Sequence, residues 1–219
     1  KKGKLYGLGA TDCKSNLACS IEVMQSLIEE KEKLPYDLIF AATADEETGS
    51  ALGLIPLLDR KILTPDAALV LDADDYKIVV AQKGLLHLTV SLRGKRAHGA
   101  YPWLGKNAVA AAVSILAELA RIRIGSRSHT YLRQSTMNIG TIRGGDKVNV
   151  VADWCEFELD FRFLPGESEA HIIGMLKKII QKYSRQYTVR IDGVQKPYEI
   201  ATTDRKSTRL NSSHSLPYR

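Results

Sequence analysis

The hydrophobic pattern of this chain changes period at Gly84, and that change restricts what it can fold into. Before Gly84, uninterrupted apolar runs alternate with helical spacings. Residues 5–10 read as a strand, and Leu17, Ile21, Met24 and Ile28 then recur at helical spacing with Glu and Lys on the far side. An apolar run over 37–44, a short helix beginning near Pro56 and a third run over 67–71 follow. Strands that are apolar on both faces and alternate with helices indicate a parallel α/β sheet. After Gly84, Leu86, Leu88, Val90 and Leu92 alternate with Leu85, His87, Thr89 and Ser91, the mark of a half-exposed strand. A helix over 105–122 follows, with Val109, Ala112, Val113 and Leu116 on one face. Strands over 135–142 and 156–163 come next, the second with Phe157, Leu159, Phe161 and Phe163 inward, then a helix over 169–183 and a strand over 188–192. The order β-α-β-β-α-β is the ferredoxin-like arrangement, and Gly144-Gly145 and Pro165-Gly166 punctuate it as turns.

The second unit starts and finishes within the chain. The first, with three strands and two helices, leaves a sheet edge unpaired and little core. The expected organisation is therefore an α/β domain that continues beyond both ends, into which the ferredoxin-like unit is inserted. Residues 1–82 form its first part, 83–197 the insertion, 198–203 the return, and 204–219 a non-native tail.

Each apolar run before Gly84 ends in acid: Asp12 after the first, Asp45, Glu46 and Glu47 after the second, Asp72, Asp74 and Asp75 after the third. Ligands of open α/β sheets bind where the carboxyl ends of strands meet. Adjacent carboxylates repel one another and resist desolvation, so they need open water or a counter-charge. Singly, each acid reads as a solvated strand end or helix cap. Together, with no nearby Lys/Arg cluster to pair them, they favour a bound cation.

Composition narrows the classes. With 44% hydrophobic and 26% charged residues over 219 positions, the chain is of ordinary globular type. Its most apolar stretch, 108–120, is too short for a membrane span and contains Glu118. Lys1-Lys-Gly-Lys leads into a strand rather than the apolar core of a secretion signal, and a cytoplasmic location is expected. Cys13, Cys19 and Cys155 are odd in number and form no Cys-x-x-Cys pair, which argues for reduced, buried thiols. The net charge of +6 would suggest nucleic acid, but the tail 204–219 holds four basic residues and one Asp, so it supplies 4 − 1 = +3 of it. That tail has no hydrophobic period, and Asp204 to His214 resembles the translation of a sequencing-adapter oligonucleotide. Neither a nucleic-acid nor a membrane partner is expected.

Several motifs occur in order: Gly7-Leu-Gly-Ala-Thr-Asp-Cys-Lys14, Asp45-Glu-Glu-Thr-Gly49, Gly94-Lys-Arg-Ala-His98 with Pro102 and Gly105-Lys-Asn107, and Gly144-Gly-Asp-Lys-Val-Asn149 leading to Asp160-Phe-Arg162. Together they resemble the acetylornithine deacetylase, succinyl-diaminopimelate desuccinylase, aminoacylase and carboxypeptidase family of zinc-dependent amidohydrolases, over nearly all of residues 5–197. The resemblance implies a zinc-hydrolase catalytic domain carrying an inserted dimerisation domain, and a homodimer formed through 83–197. It implies two zinc ions, with Co2+ or Mn2+ as possible substitutes. Asp12 would bridge them, Glu47 would bind one and Asp72 the other, with Asp74 as the alternative to Asp72. Two such cations, about 3.5–4 Å apart, polarise a shared water and the scissile carbonyl. Glu46 would act as general base and then acid. Since neighbouring side chains on a strand point to opposite faces, the backbone should leave β geometry at Glu46-Glu47. His98 would reach the partner subunit's site to stabilise the oxyanion, and Asn149 and Arg162 would hold the substrate's carboxylate. The substrate would be a small N-acyl amino acid or a short peptide.

The chain departs from the pattern. Family members commonly carry Arg, Met and Gly where Leu8, Cys13 and Ser15 or Asn16 stand, and the upstream His-x-Asp motif and a late His, one ligand for each zinc, are missing. Weak metal binding and no useful activity are expected of this fragment itself. For Arg162, which shares a strand face with Glu156, Glu158 and Asp160, the structural alternative is a cross-strand ion pair; for Asn149 it is a turn, for His98 a surface position. His87, His129 and His171 are taken as structural. A non-catalytic dimerisation or ligand-binding protein built on the ferredoxin-like unit is the alternative function. A phosphotransfer enzyme is disfavoured by the lack of a glycine-rich phosphate loop.

Overall fold

The spacing of Leu17, Ile21, Met24 and Ile28 yields α1 (Lys14–Glu29), and Pro56 falls in the first turn of the short α2 (Leu54–Asp59). These elements come from a computed structural model that describes residues 3–72, 79–125 and 127–200. Asp74, Asp75 and the tail 204–219 lie outside the described residues. The chain forms two compact units, one of Ala81–Glu199 and the other of the described residues up to Val80 with Ile200.

In the first unit the expected parallel sheet is not built among the described residues: no strand is assigned over 5–10, 37–44 or 67–71. A strand exists only through its ladder, and an apolar run specifies one only when partners lie alongside. None of the described residues before Ala81 is buried. Ile39 remains 62% exposed and Ile28 of the α1 stripe 73%. The apolar faces are present, but the described residues cover them only in part, Leu17, Met24 and Leu27 being half-buried.

The second unit holds the core. A two-residue ribbon closes it where the chain enters and leaves, β1 (Ala81–Gln82) against β6 (Tyr198–Glu199), with Ala81 opposite Glu199. Between them run β2 (Gly84–Arg93), α3 (Ala108–Leu119), β3 (Thr136–Gly144), β4 (Trp154–Phe163), α4 (Glu169–Tyr183) and β5 (Tyr187–Gln195). The sheet order is β3-β4-β2-β5 and every neighbouring pair is antiparallel, the ferredoxin-like topology. Register places Gly84 opposite Phe163 and Arg93 opposite Trp154, so Leu86, Leu88, Val90 and Leu92 share a face with Cys155, Phe157, Leu159, Phe161 and Phe163, all buried. α3 and α4 supply the other half of this core, with Ala112, Ile115 and Leu119 from one and Ile172, Leu176 and Ile180 from the other. On α3 the buried stripe is Ala108, Ala112, Ile115 and Leu119, whereas Val113, expected on the inner face, is 57% exposed. Caps fix both helix starts: Asn107 Oδ1 accepts from the Ala110 N–H at 3.0 Å, and Ser168 Oγ from the His171 N–H at 3.3 Å. Of the three free cysteines only Cys155 is buried; Cys13 is half-buried and Cys19 exposed, against the expectation of buried thiols. No helix among the described residues is long and apolar enough to cross a membrane.

Candidate functional site

The acidic run Asp45-Glu46-Glu47 divides its labour. Asp45 sits in the left-handed region at φ 69° and closes a turn with its own carboxylate, accepting from the Thr48 hydroxyl and, at 2.8 Å, from the Leu52 N–H. The Thr48 hydrogen bond first, and the Leu52 N–H second, hold the Asp45 carboxyl below its usual range. Asp45 is therefore occupied by the turn. The backbone leaves β geometry at the next two residues, as expected, because Glu46–Thr48 is a 3-10 turn ended by Gly49. Both Glu46 and Glu47 are exposed.

The other two acidic positions are tied to each other. α1 begins directly after Asp12 and Cys13, and the Asp12–Cys13 peptide is cis. Ser15 Oγ donates to the Thr11 carbonyl at 3.1 Å, and Asn16 Nδ2 reaches the carbonyl of Leu71, the residue before Asp72, also at 3.1 Å. Cys13 reports the result. Its thiol is pushed up first by burial and then by the negative charges of Asp12, Asp72, Glu46 and Glu47. Four carboxylates from three separated segments thus act on one sulfur. Carboxylate oxygens are hard donors that suit a divalent cation. Among the described residues, however, no group of three or more His, Cys, Asp and Glu side chains stands close enough to hold a metal ion. The donor chemistry fits and the cage is not closed; Asp74 lies outside the described residues.

In the second unit, His98 and Asn149 are brought together. His98 pairs with Val150 in an isolated bridge, and the Gly99 N–H donates to the Asn149 carbonyl at 2.8 Å. The approach is tight, since a Cβ at position 99 would lie 3.0 Å from the Asn149 backbone carbon and oxygen. His98 is exposed, and its Nδ1 accepts from the Ala100 N–H at 3.1 Å. In the neutral ring the proton then sits on Nε2. Tyr101 stands 6.0 Å from the imidazole, and the Trp103 ring lies edge-on to Tyr101.

Arg162 is elsewhere. It lies opposite Leu85 and Thr136, eight positions along β4 from Trp154, where the His98 and Asn149 loops meet the sheet. At the rise of an extended strand that separation is about 26 Å. Its Nε lies 3.0 Å from Oδ1 of Asp160 on the same strand, which His87 Nε2 of β2 also approaches at 3.3 Å, so Arg162 is ion-paired within β4 rather than across the strands. His129 is held by the backbone, its Nδ1 accepting from Tyr131 and Leu132 N–H at 3.2 Å.

Sequence reasoning missed Lys83. This half-buried side chain donates to the Gln134 carbonyl, and burial lowers its pKa, with Arg133 and Arg162 acting the same way against Glu167. A single Lys before a strand carries no pattern; only the sheet register brings it near two arginines.

Residues 80–188 match the model of the peptidase dimerisation domain. An acetylornithine deacetylase of Pectobacterium carotovorum subsp. carotovorum (strain PC1) is 30% identical over 193 residues, which cover 86% of this chain and 50% of that protein. Aminopeptidase PepT of Bacillus cereus ATCC 10987 superposes with a TM-score of 0.70 at 24% identity, over 90% of this chain and 52% of its own. A tripeptidase of Staphylococcus aureus subsp. aureus Mu50 does so at 0.66 and 23%, over 90% and 52%. At these identities the two structures speak for the fold. The chain spans about half the length of the curated relative it matches. The ordered motifs, the ferredoxin-like unit and the matched dimerisation domain agree: the chain belongs to the acetylornithine deacetylase, desuccinylase, aminoacylase and carboxypeptidase family.

Proposed function

We propose that the whole protein is a metal-dependent hydrolase that cleaves an amide bond, removing the acyl group of a small N-acyl amino acid or a terminal residue of a short peptide. The observation that carries this reading is the ordered set of family motifs in a chain 30% identical over 193 residues to an acetylornithine deacetylase, with the Asp12 and Asp72 segments tied by the hydrogen bond from Asn16 Nδ2 to the Leu71 carbonyl. In the role the family pattern suggests, Asp12, Glu47 and Asp72 hold the carboxylate side of a two-metal centre, zinc by resemblance. Bound there, such ions supply Lewis-acid polarisation of water and carbonyl. Glu46 Oε takes a proton from the attacking water and delivers it to the departing amine. His98 donates from Nε2 to the carbonyl oxygen as it gains charge.

A homodimer through 83–197 supplies what one chain separates. Asn149 and Arg162 stand at opposite ends of β4, so a carboxylate gripped by both draws them from two copies. The three free cysteines suit a reducing compartment, and we place the protein in the cytoplasm. That no group of three or more metal-donor side chains stands together among the described residues leaves a second reading for these 219 residues alone, an inactive dimerisation module that binds zinc weakly.

Glu46→Gln in a protein extended to the length of the curated relative tests the role of that residue. Expected is a fall in kcat of about 100-fold or more, with metal content unchanged. Wild-type turnover in the variant would refute it.

A further inference from the structure

His98 lies on the loop that follows β2, and Asn149 on the loop that joins β3 to β4. The backbone laces the two together: the Gly94 N–H donates to the Asp153 carbonyl at 2.8 Å, the Val151 N–H to the Ala97 carbonyl at 2.9 Å, and the Gly99 N–H to the Asn149 carbonyl at 2.8 Å. The stretch 146–149 stands out from this lacing. Val148 at its tip is fully exposed, and the Val150 N–H closes the stretch on the Lys147 carbonyl at 3.1 Å.

A side chain anchors the front of that stretch. Asp146 accepts from the Trp154 indole N–H at 3.0 Å through Oδ1, and from the Arg96 guanidinium through Oδ2. The same Arg96 nitrogen, Nη2, lies 3.1 Å from Oδ1 of Asp153. The Trp154 bond first, and the charge of Arg96 after it, hold the Asp146 carboxyl below its usual range. Arg96 precedes His98 by two positions, and Asp146 precedes Asn149 by three. One guanidinium between two carboxylates therefore ties the approach to His98 to the approach to Asn149. Without that cation, Asp146 and Asp153 would face each other as like charges. An isolated surface pair contributes little, but this one belongs to a network whose Trp154 member is part of β4.

We propose that Arg96 and Asp146 are positioning residues of the hydrolase, whose bond between the two loops fixes where the His98 ring stands. His98 acts on charge that appears only in the transition state, so the bond governs the chemical step more than substrate affinity. The proposal deepens the hydrolase reading and rests on it for the chemical step. Its effect on the loops requires neither metal nor turnover.

The first test is nitrogen NMR of the His98 ring in this chain, at a pH where the ring is neutral, beside amide exchange. In the parent the ring proton sits on Nε2, because Nδ1 accepts from the Ala100 N–H at 3.1 Å. Arg96→Met and Asp146→Asn are each expected to mix the two tautomers and to speed exchange of the Gly99 and Val151 amides about fivefold, as loss of a well-formed exposed pair would. Unchanged protection of β2 and β4 is the check on folding. Parent-like ring signals and Gly99 exchange in both variants would overturn the proposal. In the protein extended to the length of its relatives, each variant is expected to lose about tenfold or more in kcat, with a smaller change in KM. The double variant is expected to fall no further than either single one, because both remove the same bond. Full kcat in the variants, or a change confined to KM, would overturn the positioning role while leaving the hydrolase reading intact. An extended parent that itself hydrolyses no amide would refute that reading, and the positioning role with it.

Discussion

Asp45 and Glu47 stand two positions apart in one acidic run, yet it is Asp45 whose carboxylate closes the turn, on the Thr48 hydroxyl and the Leu52 N–H. Residue type and spacing made the acidic positions legible, because three carboxylates behind an apolar run need a partner. They did not reveal which acid holds the turn, since that depends on a left-handed φ at Asp45 and an N–H seven residues on. Lys83 was illegible for another reason: its neighbours Arg133 and Arg162 are 50 and 79 positions away, and only strand register joins them. The pairing of Asn149 with His98, rather than with Arg162, likewise emerges from the bridge at Val150. Gly99 carries a prediction at this scale. An added Cβ meets the Asn149 backbone, which cannot rotate away as a side chain could, so Gly99→Ala is expected to cost about 1–3 kcal/mol. The denaturant midpoint reads this directly, and an unchanged midpoint would show that the His98 loop yields freely.

At the scale of elements, alternation read well and continuous apolar runs did not. The even positions of β2 and the odd positions of β4 face α3 and α4, because period two leaves a strand one way to bury its apolar side. The helix over 169–183 falls where α4 lies, its start fixed by Ser168. The ribbon of β1 and β6 has two residues a side and no pattern to detect. The runs over 37–44 and 67–71 have the composition of parallel strands, but composition supplies no ladder. α3 and α4 are joined at their ends by Glu118, which accepts from Lys182 Nζ at 2.5 Å and from the Tyr183 hydroxyl at 2.9 Å. The Lys182 bond first, then that of Tyr183, holds the Glu118 carboxyl below its ordinary value. A depressed carboxyl stabilises the fold above its unfolded pKa of about 4.3 and loses that contribution as pH falls through the folded value. Glu118→Gln should therefore lose less stability than the parent between pH 5 and pH 3 in denaturant titrations. The difference will be modest because the pair is exposed; parallel pH profiles would remove Glu118 from the account.

At the scale of the whole molecule, the buried residues among those described all fall in one unit. None of the described residues before Ala81 is buried, whereas Phe157, Phe161 and Phe163 are wholly inaccessible. Exposed helices with few apolar contacts open at low free energy. Amides of α1 should accordingly exchange with deuterium far faster than those of β2, β4 and α4. Protection of α1 equal to that of β4 would contradict this picture of where stability resides. The central claim concerns the acids at 12, 46, 47 and 72, and it is tested most directly by zinc content measured beside amide hydrolysis. The protein for this comparison is extended to the length of its relatives, with and without Asp12→Asn. Two zinc ions per protomer and hydrolysis are expected in the parent, and loss of both together in the variant. Two retained ions with undiminished hydrolysis in Asp12→Asn would contradict the claim.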